Sequence, residues 1–450
     1  SIARMVCVMS EVSSGLVLPQ PNGRPVGMHP EFPPQNRREG QMAVEDRFAW
    51  AEGARLFAGV QELLRPSLGN SDAFRPLPAT PTADALAALG AAITQRAPFC
   101  LSDRPLPEDL TCPPGVFLTL TGGASGLPKA VRRSQRSWTA SFAVNADRFA
   151  LRSTDSVAVL GQLSHSLSLY AVLEALHLGL DTHVLAQHSP RTQAARISKV
   201  GATLIYATPT QLRLLARGAA APLPSLRLVL CGGGALDAAT RAAVKTLCPN
   251  AALHVFYGAA ETSFITLADA DTPKGSVGQP YPSVELRLLD EKSHPTSGVG
   301  EIWVRSPYLF DGYALGDSPD TRWHDGFVTV GEMGEFDANG QLWIKGRRQR
   351  MVQIADQLVF PEAVEAMIAA REGTACAVLP RVDTMRGQQL VAVVEGAENR
   401  AQAEKIIETC RAELGPLASP RRVYFRPELP LLPSGKPDLR ALSTWLETQS

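Results

Sequence analysis

The sequence has no excess of charge of either sign. Its 450 residues include 44 basic and 44 acidic side chains. This balance argues against a nucleic-acid-binding protein that relies on bulk positive charge, because such binding needs many cations to neutralise phosphates. The hydrophobic fraction of 45% is typical of a soluble globular protein.

Long apolar runs are also missing. No stretch reaches the roughly 18 consecutive apolar residues of a transmembrane helix, and the first ten residues lack the form of a signal peptide. Cysteines are few and scattered, and none form a pair at metal-ligand spacing. Reduced thiols in a cytoplasmic protein are therefore expected. The cysteines are Cys7, Cys100, Cys112, Cys231, Cys248, Cys376 and Cys410.

The chain is too long for one compact core and is expected to form at least two domains. Apolar periodicity predicts helices over residues 44–64, 82–94 and 137–149. Between residues 156 and 230, short apolar strands alternate with helical segments, which predicts a parallel sheet covered by helices. Ligands of such sheets bind at the carboxyl ends of the strands. The glycines 232–234 follow one strand and either leave room for an adenine ring or form a tight turn.

A glycine-rich stretch over residues 119–129 follows a short apolar run. Gly122, Gly123 and Gly126 allow close approach of the backbone to a ligand, and Thr121 and Ser125 add hydroxyl groups. The stretch is either a phosphate cradle or a flexible turn.

Two common phosphate-binding motifs do not fit this stretch. The P-loop places Lys directly after its last Gly, but here Leu127 and Pro128 precede Lys129. The dinucleotide-binding spacing of glycines is absent as well. The arginines that follow, Arg132, Arg133 and Arg136, either meet a nucleotide or belong to a solvated helix start.

The stretch resembles the phosphate-binding loop of the adenylate-forming superfamily, which includes acyl-CoA synthetases, luciferases and the adenylation domains of peptide synthetases. Residues 257–261, 340–347 and 433–436 resemble further motifs of that family, in the family's order. The resemblance implies an α/β fold with a large N-terminal domain of parallel-type sheets covered by helices and a small, mobile α+β C-terminal domain. Residues 1–345 would form the first domain, with a compressed first subdomain, and residues 346–450 the second.

The resemblance also assigns roles to individual residues. Lys436 would deliver a cation to the reacting carboxylate and the α-phosphate, Glu261 would hold Mg²⁺, and His165 would line the acyl pocket beside them. Tyr257 would stack on adenine, and Glu332 and Arg347 would bind ribose or phosphate oxygens. The nucleotide-binding residues implied are Thr121, Gly122, Gly123, Ser125, Gly126, Lys129, Gly233, Tyr257, Gly258, Glu332 and Arg347.

The implied reaction is ATP-dependent activation of a carboxylic acid to an acyl-adenylate, followed by transfer to CoA or to the phosphopantetheine of an acyl carrier protein. The family's amino-acid-activating members carry an Asp near the position of His165, and its absence here indicates an aryl, aryl-alkenyl or fatty acid. The departures at Ala260, Glu332, Gln349 and Asp356 keep a degenerate nucleotide-binding homologue open as an alternative. Asp356 favours a carrier protein slightly over CoA. An oxidoreductase of luciferase type is a third possibility that no residue specifies.

Overall fold

The computed structural model describes residues 46–122, 128–355, 357–383, 387–431 and 437–449. Gly123, Ser125, Gly126, Asp356 and Lys436, which carry part of the sequence-based assignment, lie outside these ranges. In the described part, no helix is long and apolar enough to cross a membrane.

The helices of the described residues are α1 (Thr82–Thr94), α2 (Arg136–Arg148), α3 (Ser166–Leu178), α4 (Pro190–Val200), α5 (Pro209–Gly218), α6 (Ala238–Leu247), α7 (Pro361–Glu372), α8 (Arg400–Leu414) and α9 (Leu439–Glu447). The first strands are β1 (Leu56–Ala58), β2 (Gln61–Leu63), β3 (Arg75–Pro78), β4 (Phe99–Ser102), β5 (Val116–Gly122), β6 (Pro128–Ser134), β7 (Ser156–Val159), β8 (Asp181–Val184), β9 (Leu204–Ala207), β10 (Leu228–Cys231), β11 (Ala252–Ala259), β12 (Ser263–Ala268) and β13 (Gln279–Pro280). The others are β14 (Glu285–Leu289), β15 (Gly300–Arg305), β16 (Gly312–Leu315), β17 (Arg322–His324), β18 (Phe327–Thr329), β19 (Glu332–Phe336), β20 (Leu342–Arg347), β21 (Val352–Ile354), β22 (Gln357–Val359), β23 (Cys376–Asp383), β24 (Gly387–Glu395) and β25 (Arg422–Arg426).

A nine-stranded sheet forms the centre of the N-terminal part, in the order β13-β12-β11-β10-β9-β7-β8-β1-β2. Six neighbouring strands of this order, β11, β10, β9, β7, β8 and β1, run parallel to one another. Along the chain, helices α3 to α6 connect the strands from β7 to β11. Both faces are buried: Val157 and Val159 of β7 join one apolar cluster, and Ala158 joins another. Burial on both faces is characteristic of parallel sheets, and the predicted parallel sheet is confirmed.

Two further sheets complete this part, with orders β16-β6-β5-β4-β3 and β17-β18-β15-β19-β20, and β14 pairs with β15 in the second. The C-terminal part contains the β21–β22 hairpin and the three-stranded sheet β23-β24-β25. Helices α7 and α8 pack around one of its cores, and α9 contributes to another. The large α/β part and the small α+β part agree with the predicted fold class.

The helix predicted over residues 44–64 is wrong, whereas the helix predicted over residues 82–94 is confirmed as α1. In place of the former, β1 pairs in parallel with β8, and β2 returns antiparallel to β1. Gly53 and Gly59 adopt positive φ angles of 87° and 62°, which interrupt a helix. Val60 and Leu64, whose spacing favoured an amphipathic helix, are 69% and 88% exposed. Pairing with β8 decides this segment, because tertiary context overrides helical periodicity.

Candidate functional site

The ends of the glycine-rich stretch belong to paired strands. Strand β5 ends at Gly122 and β6 begins at Pro128, and the antiparallel register places Thr121 opposite Lys129. The ammonium nitrogen of Lys129 lies 5.4 Å from the ring centroid of Tyr313 on β16, within reach of a cation–π attraction. The structure thus places Thr121 and Lys129 where the strand pair reaches the undescribed residues 123–127.

Glu261 lies in a tight turn between β11 and β12. A Cβ atom at Gly258 would lie 1.9 Å from the carbonyl oxygen of Ser263, so only glycine allows this close return of the chain. Thr262 stabilises the turn by accepting a hydrogen bond from the Ala259 N–H at 3.1 Å. The position of Gly258 in the motif therefore has a direct steric reason.

The Glu261 carboxylate is oriented by Tyr313. The Tyr313 hydroxyl donates a hydrogen bond to Oε1 of Glu261 at 2.7 Å and lies 2.9 Å from the hydroxyl of Thr321. Burial raises the pKa of Tyr313, and the Glu261 charge adds to this effect. Oε2 of Glu261 accepts no hydrogen bond from the described residues, which leaves it available to a ligand.

The backbone of the same turn is held by Arg133, whose side chain is fully buried. Its guanidinium donates hydrogen bonds to the carbonyl oxygens of Ala260 and Tyr308 and to the Ser263 hydroxyl at 2.7 Å. Burial lowers the pKa of Arg133 to about 10, so it stays charged at neutral pH. Arg133 therefore belongs neither to a solvated helix start nor to a nucleotide contact. Sequence reasoning missed this buried, positioning role.

Tyr257, Glu332 and Arg347 lie together. Glu332 of β19 pairs with Arg347 of β20, and Nη2 of Arg347 is 3.8 Å from Oε1 of Glu332. The Tyr257 hydroxyl donates a hydrogen bond to Oε2 of Glu332. Burial raises the pKa of Tyr257 well above its usual value, and the carboxylate adds to the effect. The structure thus brings together three residues that the sequence separates widely.

The glycines after β10 lie at the carboxyl end of that strand, as the sequence indicates. A Cβ atom at Gly232 would lie 2.1 Å from Cζ of Phe256, so this glycine makes room for the Phe256 ring. Gly233 is exposed and has a φ of 80°, which favours glycine. The turn interpretation accounts for Gly233 and packing against Phe256 accounts for Gly232, and the predicted contact of Gly233 with a nucleotide stays a prediction.

His165 is the residue that precedes α3, and its side chain is exposed. Its backbone forms an isolated parallel bridge with Leu120 of β5. This bridge brings His165 beside the strand that leads into the glycine-rich stretch. This location beside the glycine-rich stretch is compatible with the predicted pocket wall.

Magnesium fits this site as an ion that arrives with phosphates. Among the described residues, no group of three or more His, Cys, Asp or Glu side chains could hold a metal ion. Magnesium is often bound by one or two carboxylates, substrate phosphates and water. The open Oε2 of Glu261 meets that requirement.

The segment after β20 forms hydrogen bonds with helix α7 of the C-terminal part. Arg350 donates two hydrogen bonds to the Glu365 carboxylate of α7, at 3.0 and 2.7 Å. The Arg347 N–H donates to Glu362 at 3.3 Å. Gln349, one of the departures from the family's pattern, lies exposed in the short 3₁₀ segment between these contacts.

The largely parallel sheet with helices in its connections, together with the small α+β part, defines an α/β class of protein. Residues 78–314 match the family described as AMP-binding enzyme, and residues 363–436 match the AMP-binding enzyme C-terminal domain. The chain belongs to this family, and so to the adenylate-forming superfamily.

The chain is 31% identical over 338 residues to the uncharacterized acyl-CoA ligase YhfT of Bacillus subtilis. The matched region covers 74% of this chain and 68% of YhfT. It is 31% identical over 260 residues to the putative long chain fatty acid-CoA ligase VraA of Staphylococcus epidermidis, covering 57% of this chain and 55% of VraA. Its fold is similar to that of o-succinylbenzoate CoA synthetase MenE from Bacillus subtilis in complex with an acyl-adenylate. The TM-score is 0.65 at 21% identity, with coverage of 72% and 68% of the two chains. The chain thus spans little more than half the length of VraA. The printed names of YhfT and VraA are those of CoA ligases, and the likeness to MenE concerns the fold.

Proposed function

We propose that the protein activates a carboxylic acid with ATP, forms an acyl-adenylate and pyrophosphate, and transfers the acyl group to a thiol. The observation that carries this proposal is the grouping of Tyr257, Glu332 and Arg347, together with a second group of Glu261, Tyr313 and Lys129. An aromatic ring, acceptor carboxylates and fixed cations suit adenine, ribose and phosphates, respectively.

We assign a role in nucleotide binding to five site residues that the structure describes. The Tyr257 ring stacks on adenine while its hydroxyl keeps Glu332 in place. Arg347 presents a fixed cation to ribose or phosphate oxygens. Lys129 adds positive charge near the triphosphate. Mg²⁺, when bound with ATP, neutralises phosphate charge, and the open oxygen of Glu261 is the protein ligand that we assign to it.

The catalytic cation is assigned to Lys436, which ends the matched C-terminal region. An ammonium group near the attacking carboxylate and the α-phosphate stabilises charge that develops in the transition state. We place the domain boundary at about residue 345, so that residues 346–450 form a lid that brings Lys436 to the nucleotide. The Arg350–Glu365 contact supports a boundary on the N-terminal side of Arg350.

The acid is proposed to be aryl, aryl-alkenyl or fatty, since the residues around His165 offer no Asp for an α-ammonium group. The names of the relatives favour CoA as the acceptor, whereas Asp356 motivates a carrier-protein phosphopantetheine. We also propose a cytoplasmic location, in keeping with the buried, unpaired thiols of the described cysteines.

A panel of carboxylic acids tests this proposal through pyrophosphate release, measured alone, with CoA and with a holo carrier protein. We expect acid-dependent release from at least one non-amino acid and thioester formation with one acceptor. Release by amino acids alone would contradict the substrate class. Nucleotide binding without release by any acid would favour the degenerate homologue.

A further inference from the structure

Asp320 is an acid near the candidate nucleotide site to which no role has been assigned. It lies in the loop between β16 and β17 and is partly buried. Its Cβ lies 2.9 Å, and its Oδ1 3.2 Å, from the point where a side chain at Gly331 would begin. Gly331 directly precedes Glu332, so the Asp320 carboxylate occupies the space beside the acid predicted to bind ribose.

The loop that carries Asp320 is fixed by contacts to the same site. The neighbouring Thr321 hydroxyl lies 2.9 Å from the hydroxyl of Tyr313, which orients Glu261. The Thr321 N–H donates to the Ser318 carbonyl oxygen at 3.0 Å. These bonds fix the part of the loop that adjoins Asp320.

The Asp320 carboxylate has no hydrogen-bond donor and no ion-pair partner within 4 Å in the described part of the chain. Burial raises its pKa, and the nearby charges of Arg347, Lys129 and Arg322 oppose this effect. Arg322 is paired with Glu301, and Arg347 lies beside Glu332. A carboxylate that is partly exposed and has no donor among the described residues is free to accept a hydrogen bond from a ligand.

The chemistry of an adenine nucleotide limits which of its groups can meet Asp320. Phosphate oxygens are acceptors and repel a carboxylate, so the donors are the ribose hydroxyls and the adenine amino group. Glu332, next along the chain from Gly331, already accepts from Tyr257. The bond from Tyr257 takes one of the acceptor positions of the Glu332 carboxylate, and Asp320 adds a second carboxylate at this place for two adjacent ribose hydroxyls.

We propose that Asp320 accepts a hydrogen bond from a ribose hydroxyl of the bound nucleotide and acts as a second ribose-binding acid beside Glu332. This inference rests on the proposed function. It extends the ribose site to a loop that sequence motifs did not single out.

The test is direct binding of AMP, 2′-deoxy-AMP and 3′-deoxy-AMP to the full chain by titration calorimetry. We expect Asp320→Ala to weaken AMP binding about tenfold, the size of a hydrogen bond to a charged group. Binding of one of the deoxy analogues should be unchanged by the substitution, because the hydroxyl in question is already missing. Asp320→Asn keeps one neutral acceptor oxygen, so its affinity for AMP should fall less than that of Asp320→Ala.

Asp317→Asn is the matched control, because Asp317 is exposed on the same loop; it should bind all three nucleotides as the parent does. Melting temperatures of the variants establish that they fold. Equal changes for AMP and both deoxy analogues, or tighter binding by Asp320→Ala, would overturn the ribose contact. If the parent binds AMP, such a result leaves the proposed function standing; if the parent binds no adenine nucleotide, both proposals fail.

Discussion

The Tyr313 hydroxyl donates a hydrogen bond to Oε1 of Glu261 at 2.7 Å and joins the strand β16 to the turn after β11. The two residues are far apart in sequence, and neither could hold this geometry alone. The bond fixes one carboxylate oxygen, and the other accepts no hydrogen bond from the part of the chain that the structure describes. Metal affinity at such a site depends on the partners that orient the ligand.

Replacing Tyr313 by Phe removes this bond and keeps the ring beside Lys129. We expect the Mg²⁺ concentration for half-maximal pyrophosphate release to rise about tenfold, because the carboxylate loses its orienting donor. Tyr424→Phe is the control, since Tyr424 lies in the C-terminal part against Trp445. An unchanged Mg²⁺ dependence in Tyr313→Phe would exclude Glu261 as the oriented ligand.

The ring of Tyr257 and its hydroxyl can be tested separately. Tyr257→Ala should raise the KM for ATP about tenfold, because loss of base stacking costs about 1 to 3 kcal/mol. Tyr257→Phe keeps the ring and loses only the bond to Glu332, so its KM should rise much less. Steady-state kinetics with ATP as the varied substrate measures both. Equal effects of the two substitutions would argue against stacking.

Arg133 offers a test of stability. Arg133→Leu leaves the buried carbonyl oxygens of Ala260 and Tyr308 without these donors, and we expect a loss of about 2 to 4 kcal/mol in the free energy of unfolding. Arg136→Leu is the control, because its ion pair with Asp46 is exposed and worth at most about 1 kcal/mol. Urea denaturation compares the two. A stable Arg133→Leu variant would show that the turn does not depend on this side chain.

Glu174 predicts how the free energy of unfolding depends on pH. It is fully buried and accepts hydrogen bonds from Asn145 at 2.8 Å and from Tyr206, and burial raises its pKa to about 7 from 4.5. The folded state therefore keeps a proton that the unfolded state releases above its lower pKa. The stabilising contribution is complete below the unfolded pKa and is lost as pH rises through about 7, with a slope of up to about 1.4 kcal/mol per pH unit.

Glu174→Gln removes this titration. Its free energy of unfolding, measured in urea at pH 5 and pH 8, should fall less across that interval than that of the parent. Glu408→Gln, at an exposed position of α8, should follow the parent. If the parent and Glu174→Gln lose the same stability over the interval, Glu174 is not the titrating group.

The sequence predicted the parts of the fold where pattern and burial agree. Strands such as β7 and β9 are short apolar runs in a chain that alternates strand and helix, and they are buried in the sheet. The helix prediction for residues 44–64 was wrong because the apolar spacing alone suited a helix. Gly53, Gly59 and pairing with β8 impose strands there instead. Local pattern cannot report such pairing.

Some residues of the candidate site could likewise be predicted from the sequence, and others could not. Motifs indicated Tyr257, Glu261, Glu332 and Arg347 through chemistry that depends on residue type. The tasks of Arg133 and Tyr313 depend on what they contact after folding, so sequence reasoning missed them. Glu174 gave a signal that could have been used: an acid within the apolar helix sequence of α3 predicts a buried, hydrogen-bonded carboxyl group.

Lys436 is proposed to supply the cation for adenylation. Acid-dependent exchange of labelled pyrophosphate into ATP measures this half-reaction without any thiol acceptor, and Lys274→Ala, at an exposed position of the N-terminal part, serves as the control. We predict that Lys436→Ala loses at least about a hundredfold in exchange while its melting temperature and AMP affinity match those of the parent. Full exchange by Lys436→Ala would contradict the account.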